Sequence, residues 1–272
     1  MTTPADPSAA PRRYSALVLA GSRGPDDPVT RSLGVAHKCL IDIAGRPMLL
    51  RVLEALRASD SVGGIAICID DAAVLRSVPQ IAAWLDAGEV RAVSSDATPS
   101  LSVIRAAGEM AEPFPLLITT ADSPLLTPEM VDRFCRGAAE GGAQVAAGLA
   151  PATVILRDYP TAIRTFLKFR DGWYSGCNLF AMTEPAALEV ARFWARTERH
   201  RKRPWKLIGA FGLGSLLLFL FRRLTLDDAM RRASRILGVS VAAVTIPVAE
   251  AAIDVDKPAD LELVREILAA RA

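Results

Sequence analysis

Short apolar runs alternate with amphipathic stretches through most of this 272-residue chain, and that rhythm limits the fold more than any other feature. Runs of about four to eight apolar residues separated by helical-period segments are βα units, which assemble around a largely parallel sheet. Strands are expected at 14–20, 64–69, 89–93, 116–119, 144–148, 172–182 and 242–247, with a weaker one at 153–157 and a short extended segment at 39–43. Helices are expected at 48–58, around 73–87, from near Leu101, at 129–140 after Pro128, at 226–237 and at 259–270. Pro128 suits a helix start because proline's fixed φ and missing N–H are harmless in the first turn. The polar loop 94–100 offers serines to cap the helix near Leu101.

Hydrophobic residues make up 51% of the chain and charged residues 23%, a balance that builds a sizeable core. The formal charge of +2 gives no general reason to expect nucleic acid. Cys39, Cys68, Cys135 and Cys177 show no CxxC spacing and no grouping with His37 or His200, the two histidines. That disfavours a zinc site or a disulfide framework and fits reduced thiols in a cytoplasmic protein. Residues 1–13 are rich in Pro, Ala and Thr and lack an apolar core, so they read as a disordered leader ahead of a single domain over 14–272.

One segment breaks the rhythm, an insertion at about 185–238. Its centre, Leu207 to Phe221, is fifteen residues without a charge, flanked by Arg199, Arg201, Lys202, Arg203, Lys206, Arg222 and Arg223. As a helix it would extend roughly 22 Å at about 1.5 Å per residue, short of a ~30 Å hydrocarbon core. Basic flanks beside a leucine-rich and aromatic stretch suit a helix lying on an anionic lipid surface through residues 199–223. A buried helical hairpin or a homo-oligomer contact would carry the same composition.

Three separated sites carry the candidate chemistry. The first strand ends in Ala20-Gly21-Ser22-Arg23-Gly24, followed by a long loop, Lys38, Leu40 and a Gly45-Arg46-Pro47-Met48 turn. Glycine lets backbone amides approach phosphate oxygens, and Arg and Lys neutralise a triphosphate. Asp122, in Asp122-Ser123-Pro124, sits at the mouth of an apolar strand, where a carboxylate is best explained by a bound divalent ion. Asp254-Val255-Asp256 precedes the last helix. Asp256 alternatively caps that helix, a role Asp260 suits better.

These motifs resemble the MobA-like nucleotidyltransferases, over roughly residues 14–180 and 240–270. The resemblance implies a mixed, mostly parallel α/β sheet sandwiched by helices, in the nucleotide-diphospho-sugar-transferase (GT-A-like) arrangement, with the helical insertion as an addition. It implies that Ala20, Gly21, Ser22 and Arg23 grip the nucleotide, with Arg31 an alternative to Arg23 because the loop carries an extra segment, 25–36. It further implies that Lys38 serves the α-phosphate and that Asp122 and Asp256, with Asp254 less favoured, hold Mg²⁺. Ser102 resembles the serine placed beside the base or ribose, although a plain helix cap reads the same. Gly176-Cys177-Asn178 resembles the Gly-Xaa-Asn of the sugar-phosphate branch, where Gly176 and Asn178 would meet the acceptor; a β-bulge is the alternative. Lys168 and Arg170, just upstream, could hold an acceptor phosphate, and a surface strand with alternating charge would look the same.

The expected reaction is transfer of a nucleotide monophosphate from an NTP, CTP or GTP foremost, to a phosphorylated small molecule or lipid headgroup, with release of pyrophosphate. The residues leave the base and the acceptor open. A glycosyltransferase of the same architecture using a nucleotide sugar is one rival, and the Lys38 signature argues against it. A non-catalytic binding protein with a degenerate nucleotide fold, peripheral at the inner face of the membrane, is the other.

Overall fold

The computed structural model describes residues 13–21, 28–35, 37–197 and 223–271. The leader to residue 12, loop residues Ser22 and Arg23, and the charged and apolar stretch 198–222 lie outside the described residues.

The chain runs β1 (Tyr14–Leu19), α1 (Pro28–Leu33), a 3₁₀ turn at Lys38–Leu40, β2 (Asp42–Ile43), β3 (Arg46–Pro47), α2 (Met48–Ala58) and β4 (Val62–Ile69). After a 3₁₀ turn at Ala72–Ser77 come α3 (Pro79–Asp86), β5 (Val90–Ser94), α4 (Pro99–Glu109), β6 (Leu116–Thr120), α5 (Pro128–Gly141), β7 (Val145–Pro151) and α6 (Ala152–Asp158). The remainder is β8 (Leu167–Lys168), β9 (Trp173–Met182), α7 (Leu188–Thr197), α8 (Leu226–Leu237), β10 (Val241–Thr245) and α9 (Pro258–Ala269).

Eight strands form one mixed sheet in the order β10-β7-β9-β6-β1-β4-β5, with β8 paired to β9. The pairs β1/β4, β1/β6, β4/β5 and β7/β10 are parallel, and β9 runs antiparallel between β6 and β7. Helices cover both faces, and the alternation within β1 shows how. Ala16 and Val18 face a core shared with α2, α3 and α5, while Leu17 faces a second core built with α4 and α7. From β1 the chain passes outward to β4 and β5, then returns to β6 on the other side of β1. The reversal makes a switch point at the carboxyl ends of β1 and β6, the place where open α/β sheets bind ligands.

A third, smaller core does the positioning. It joins Val29 of α1, Ile41, Ile43 and Met48 after the 3₁₀ turn, Leu125 after β6, and Ile253, Val255, Leu261, Val264 and Ile267 around α9. Removing each such aliphatic side chain from water contributes about 1.5–3 kcal/mol. Lys38 is three residues before Ile41, Asp122 three before Leu125, and Asp256 directly follows Val255.

Three local expectations are corrected. Residues 153–157 form the body of α6, not a strand: Ala152 and Ile155 are the buried positions, a helical i, i+3 spacing. The helix expected around 73–87 is split at Val78, because Pro79 starts α3 and the preceding residue is extended. Thr98, not a serine, caps α4 by accepting from the Leu101 N–H. Among the described residues no helix is long and apolar enough to cross a membrane.

Candidate active site

The loops leaving β1 and β6 at the switch point carry Gly21 and Asp122. Their backbones are tied together: Ala121 N–H donates to the Leu19 carbonyl at 2.9 Å, and Ala20 N–H to Cys68 at 2.8 Å. The 254–256 segment docks beside them through Val255 N–H on the Asp122 carbonyl at 2.9 Å. Ile253 and Val255 point into the third core, so the period-two alternation turns Asp254 and Asp256 outward together. Both line one cavity of about 620 Å³.

Lys38 lies between two of these carboxylates. Its Nζ donates to Asp122 Oδ2 at 2.6 Å and to Asp256 Oδ1 at 3.2 Å, with the lysine side chain 14% exposed. Burial pulls the ammonium's pKa down, but the two carboxylates outweigh it, and the net shift is upward. Lys38 therefore keeps its positive charge across the working pH range.

The donor set suits Mg²⁺. Asp122 Oδ1 is buried and accepts no hydrogen bond among the described residues, a costly state for a carboxylate oxygen. Among the described residues no three His, Cys, Asp or Glu side chains cluster as a cage for a metal. One or two carboxylates, completed by substrate phosphates and water, is the arrangement Mg²⁺ prefers.

Asp254 is occupied differently. Its Oδ1 pairs with Arg164 and its Oδ2 accepts from Asn178 Nδ2 at 2.9 Å. Both carboxylate oxygens of Asp254 are therefore engaged. Asp260 supplies the cap, accepting the N–H groups of Asp256 at 3.0 Å and Lys257 at 2.8 Å. Asn178 sits at φ 50, a left-handed conformation that asparagine tolerates better than most residues. Register between β7 and β9 shifts there, passing from Ala147 opposite Phe180 to Leu149 opposite Gly176. The segment is thus irregular, as a bulge would be, and it also turns Gly176 and Asn178 into the cavity.

Other expected residues have partners of their own. Ser102 is 4% exposed and its hydroxyl accepts the Asp96 N–H at 2.8 Å, holding the loop after β5. Lys168 lies 4.3 Å over the Trp173 ring and is not among the residues lining the cavity. Arg31 is in the last turn of α1. Arg164 was not legible in the sequence. It sits in a loop without periodicity, with no motif to single it out, yet its side chain is only 11% exposed and contacts two carboxylates of the site.

A mostly parallel sheet whose switch point carries a lysine, two carboxylates and a glycine loop is the arrangement of an α/β protein with its site at the carboxyl ends of the strands. The chain belongs to the family of MobA-like NTP transferase domains, whose pattern matches residues 16–201. The family is one of NTP transferases. Two 3-deoxy-manno-octulosonate cytidylyltransferases are relatives. The one from Anaeromyxobacter dehalogenans is 31% identical over 136 residues, 49% of this chain and 50% of its own. The one from Anaeromyxobacter sp. strain K is 29% identical over 111 residues, 40% of this chain and 43% of its own. The chain therefore spans about half the length of the curated relatives it matches. A hypothetical transferase from Thermus thermophilus superposes with TM-score 0.74 at 28% identity, covering 92% of this chain and 99% of that one. A CMP:2-keto-3-deoxy-manno-octonic acid synthetase complexed with CTP shares the fold, with TM-score 0.57, 13% identity and coverage of 97% and 100%.

Proposed function

We propose that the protein is a Mg²⁺-dependent nucleotidyltransferase that moves an NMP from an NTP to a phosphorylated acceptor and releases pyrophosphate. The carrying observation is Lys38 bridging Asp122 and Asp256 at the switch point. An oxygen of the acceptor's phosphate attacks the α-phosphorus in line, the bond from α-phosphorus to the α,β-bridging oxygen breaks, and that oxygen leaves with pyrophosphate. No covalent protein intermediate is needed.

Lys38 stabilises charge growing on the α-phosphate, and because the carboxylates hold its ammonium in place, little reorganisation is needed at the moment of reaction. Asp122 and Asp256 would hold Mg²⁺, which supplies charge neutralisation across the reacting phosphates. The Gly21 loop receives the β and γ phosphates. Among the described residues a Cβ on Gly21 would come no nearer than 3.8 Å to Ser95, so packing against them does not demand glycine there; an approaching phosphate would. Gly176 and Asn178 face the acceptor cavity. The names of the relatives make CTP the first nucleotide to test.

Lys38→Ala and Asp122→Asn each lower kcat by about 10²–10³-fold, the usual loss when one electrostatic donor is removed. Both retain the fold: after Lys38→Ala the carboxylates left behind keep contact with water, Asp122 being 21% and Asp256 46% exposed, and Asp122→Asn preserves the side chain's shape. Pyrophosphate release is measured with CTP, Mg²⁺ and a panel of phosphorylated acceptors. Near-normal release by either variant overturns the site assignment, and nucleotide-sugar turnover without pyrophosphate overturns the reaction.

A further inference from the structure

Two cation-bridged carboxylate pairs share the turn that leads into α9. Asp256 is joined through Lys38 to Asp122; two residues earlier and four residues later, Asp254 and Asp260 are joined through Arg164. The guanidinium donates to the Asp254 carboxylate, to the Asp254 backbone carbonyl at 3.4 Å and to Asp260 Oδ1 at 3.4 Å. Asp260 passes this restraint on, because its other oxygen accepts the backbone N–H of Asp256 itself. Arg164 belongs to the loop between α6 and β8, whose residues 161–165 line the cavity, so it connects the acceptor side of the cleft to the metal-facing carboxylate.

We propose that Arg164 is a positioning residue: its guanidinium, held across Asp254 and Asp260, fixes the turn that aims Asp256 at the divalent ion. This rests on the nucleotidyltransferase reading of the same site. A planar guanidinium is suited to the task because several N–H groups in fixed directions can join two carboxylates and a carbonyl at once, which an ammonium does less well. Without it, Asp254 and Asp260 face each other at 20% and 14% exposure with no cation between them among the described residues. Their repulsion would displace the turn, and Asp256 with it.

The test is Mn²⁺ binding to the full-length protein without nucleotide, followed by electron paramagnetic resonance, since Mn²⁺ accepts the same hard oxygen donors. Residues that orient metal ligands typically contribute about 10–100-fold to affinity. Arg164→Ala is expected to weaken Mn²⁺ at least about 10-fold in a protein that remains folded, with Arg164→Lys between the two. In turnover, the same variants raise the Mg²⁺ concentration needed for half-maximal rate and leave KM for the nucleotide little changed. Should the alanine variant fail to fold, the lysine variant decides: a folded Arg164→Lys that binds Mn²⁺ as tightly as wild type overturns the proposal. Asp122→Asn separates the two levels. If it loses Mn²⁺ and Arg164→Ala does not, the positioning role alone is wrong; if it binds Mn²⁺ normally, the metal reading falls and this inference with it.

Discussion

At Cys39, Cys135 and Cys177 burial pushes the thiol up from its ordinary 9.0 to about 12, and at Cys68 to about 11. The cause is the same in each case: a thiolate in an apolar core loses its hydration. Only the thiolate attacks an electrophile, so these cysteines are inert in the folded state. Dithionitrobenzoate at pH 8 should label the native protein slowly and release four equivalents once urea unfolds it. Fast native labelling at any of them shows that its core is open. The same shifts contribute to the alkaline limit of stability. Between roughly pH 9 and 12 the unfolded chain gives up thiol protons that the folded chain keeps, so stability falls as pH rises through that window and is unaffected by these groups below it. Urea midpoints at pH 8 and pH 10 check the sign: the second must be lower. A midpoint that rises shows that other groups control the alkaline limb.

Elements with a strong period and a local punctuation mark were legible in the chain. Met48–Ala58 and Leu226–Leu237 have the expected bounds, and Pro128 opens α5 with Thr127 as its cap. What was not legible depends on contacts distant in sequence. The run Thr153-Val154-Ile155-Leu156 is apolar and partly β-branched, and it is helical where it packs against the 249–252 turn, β7 and β9. Among site residues, Lys38, Asp122 and Asp256 carried motif signals, whereas Arg164 acquires meaning only when a loop brings it to Asp254. Gly137 in α5 is a further case, unremarkable in sequence and constrained in structure. A Cβ there would lie 2.7 Å from Val244 Cγ1 on β10, against a β-branched side chain with little freedom to move. Gly137→Ala ordinarily favours a helix by about 1 kcal/mol. Here overpacking, which costs about 1–3 kcal/mol, wins. Chemical denaturation should show net destabilisation, relieved in the double variant with Val244→Ala. A more stable Gly137→Ala protein would mean that α5 and β10 are farther apart than described.

Across the whole molecule, the site is assembled from segments that have little else in common: Lys38 and Asp122 are 84 residues apart and Lys38 and Asp256 are 218 apart. Their meeting point is held by the small third core, which receives side chains from the α1 region, the loop after β6 and the terminal helix. A ligand held there ties together the β1 loop, the β6 end and the last turn before α9, so binding stabilises the folded chain as a unit and not one loop alone. By linkage, a ligand at 100 times its Kd adds about 2.7 kcal/mol to the unfolding free energy. For a domain of this size that corresponds to a rise in Tm of at least about 5 °C. CTP with Mg²⁺ should produce such a rise, CTP with a chelator much less, and Asp122→Asn should lose the metal-dependent part while keeping its own baseline Tm. A shift that is indifferent to both metal and Asp122 would show nucleotide binding at some other place on the sheet, and the convergence of these three distant segments would then serve structure alone.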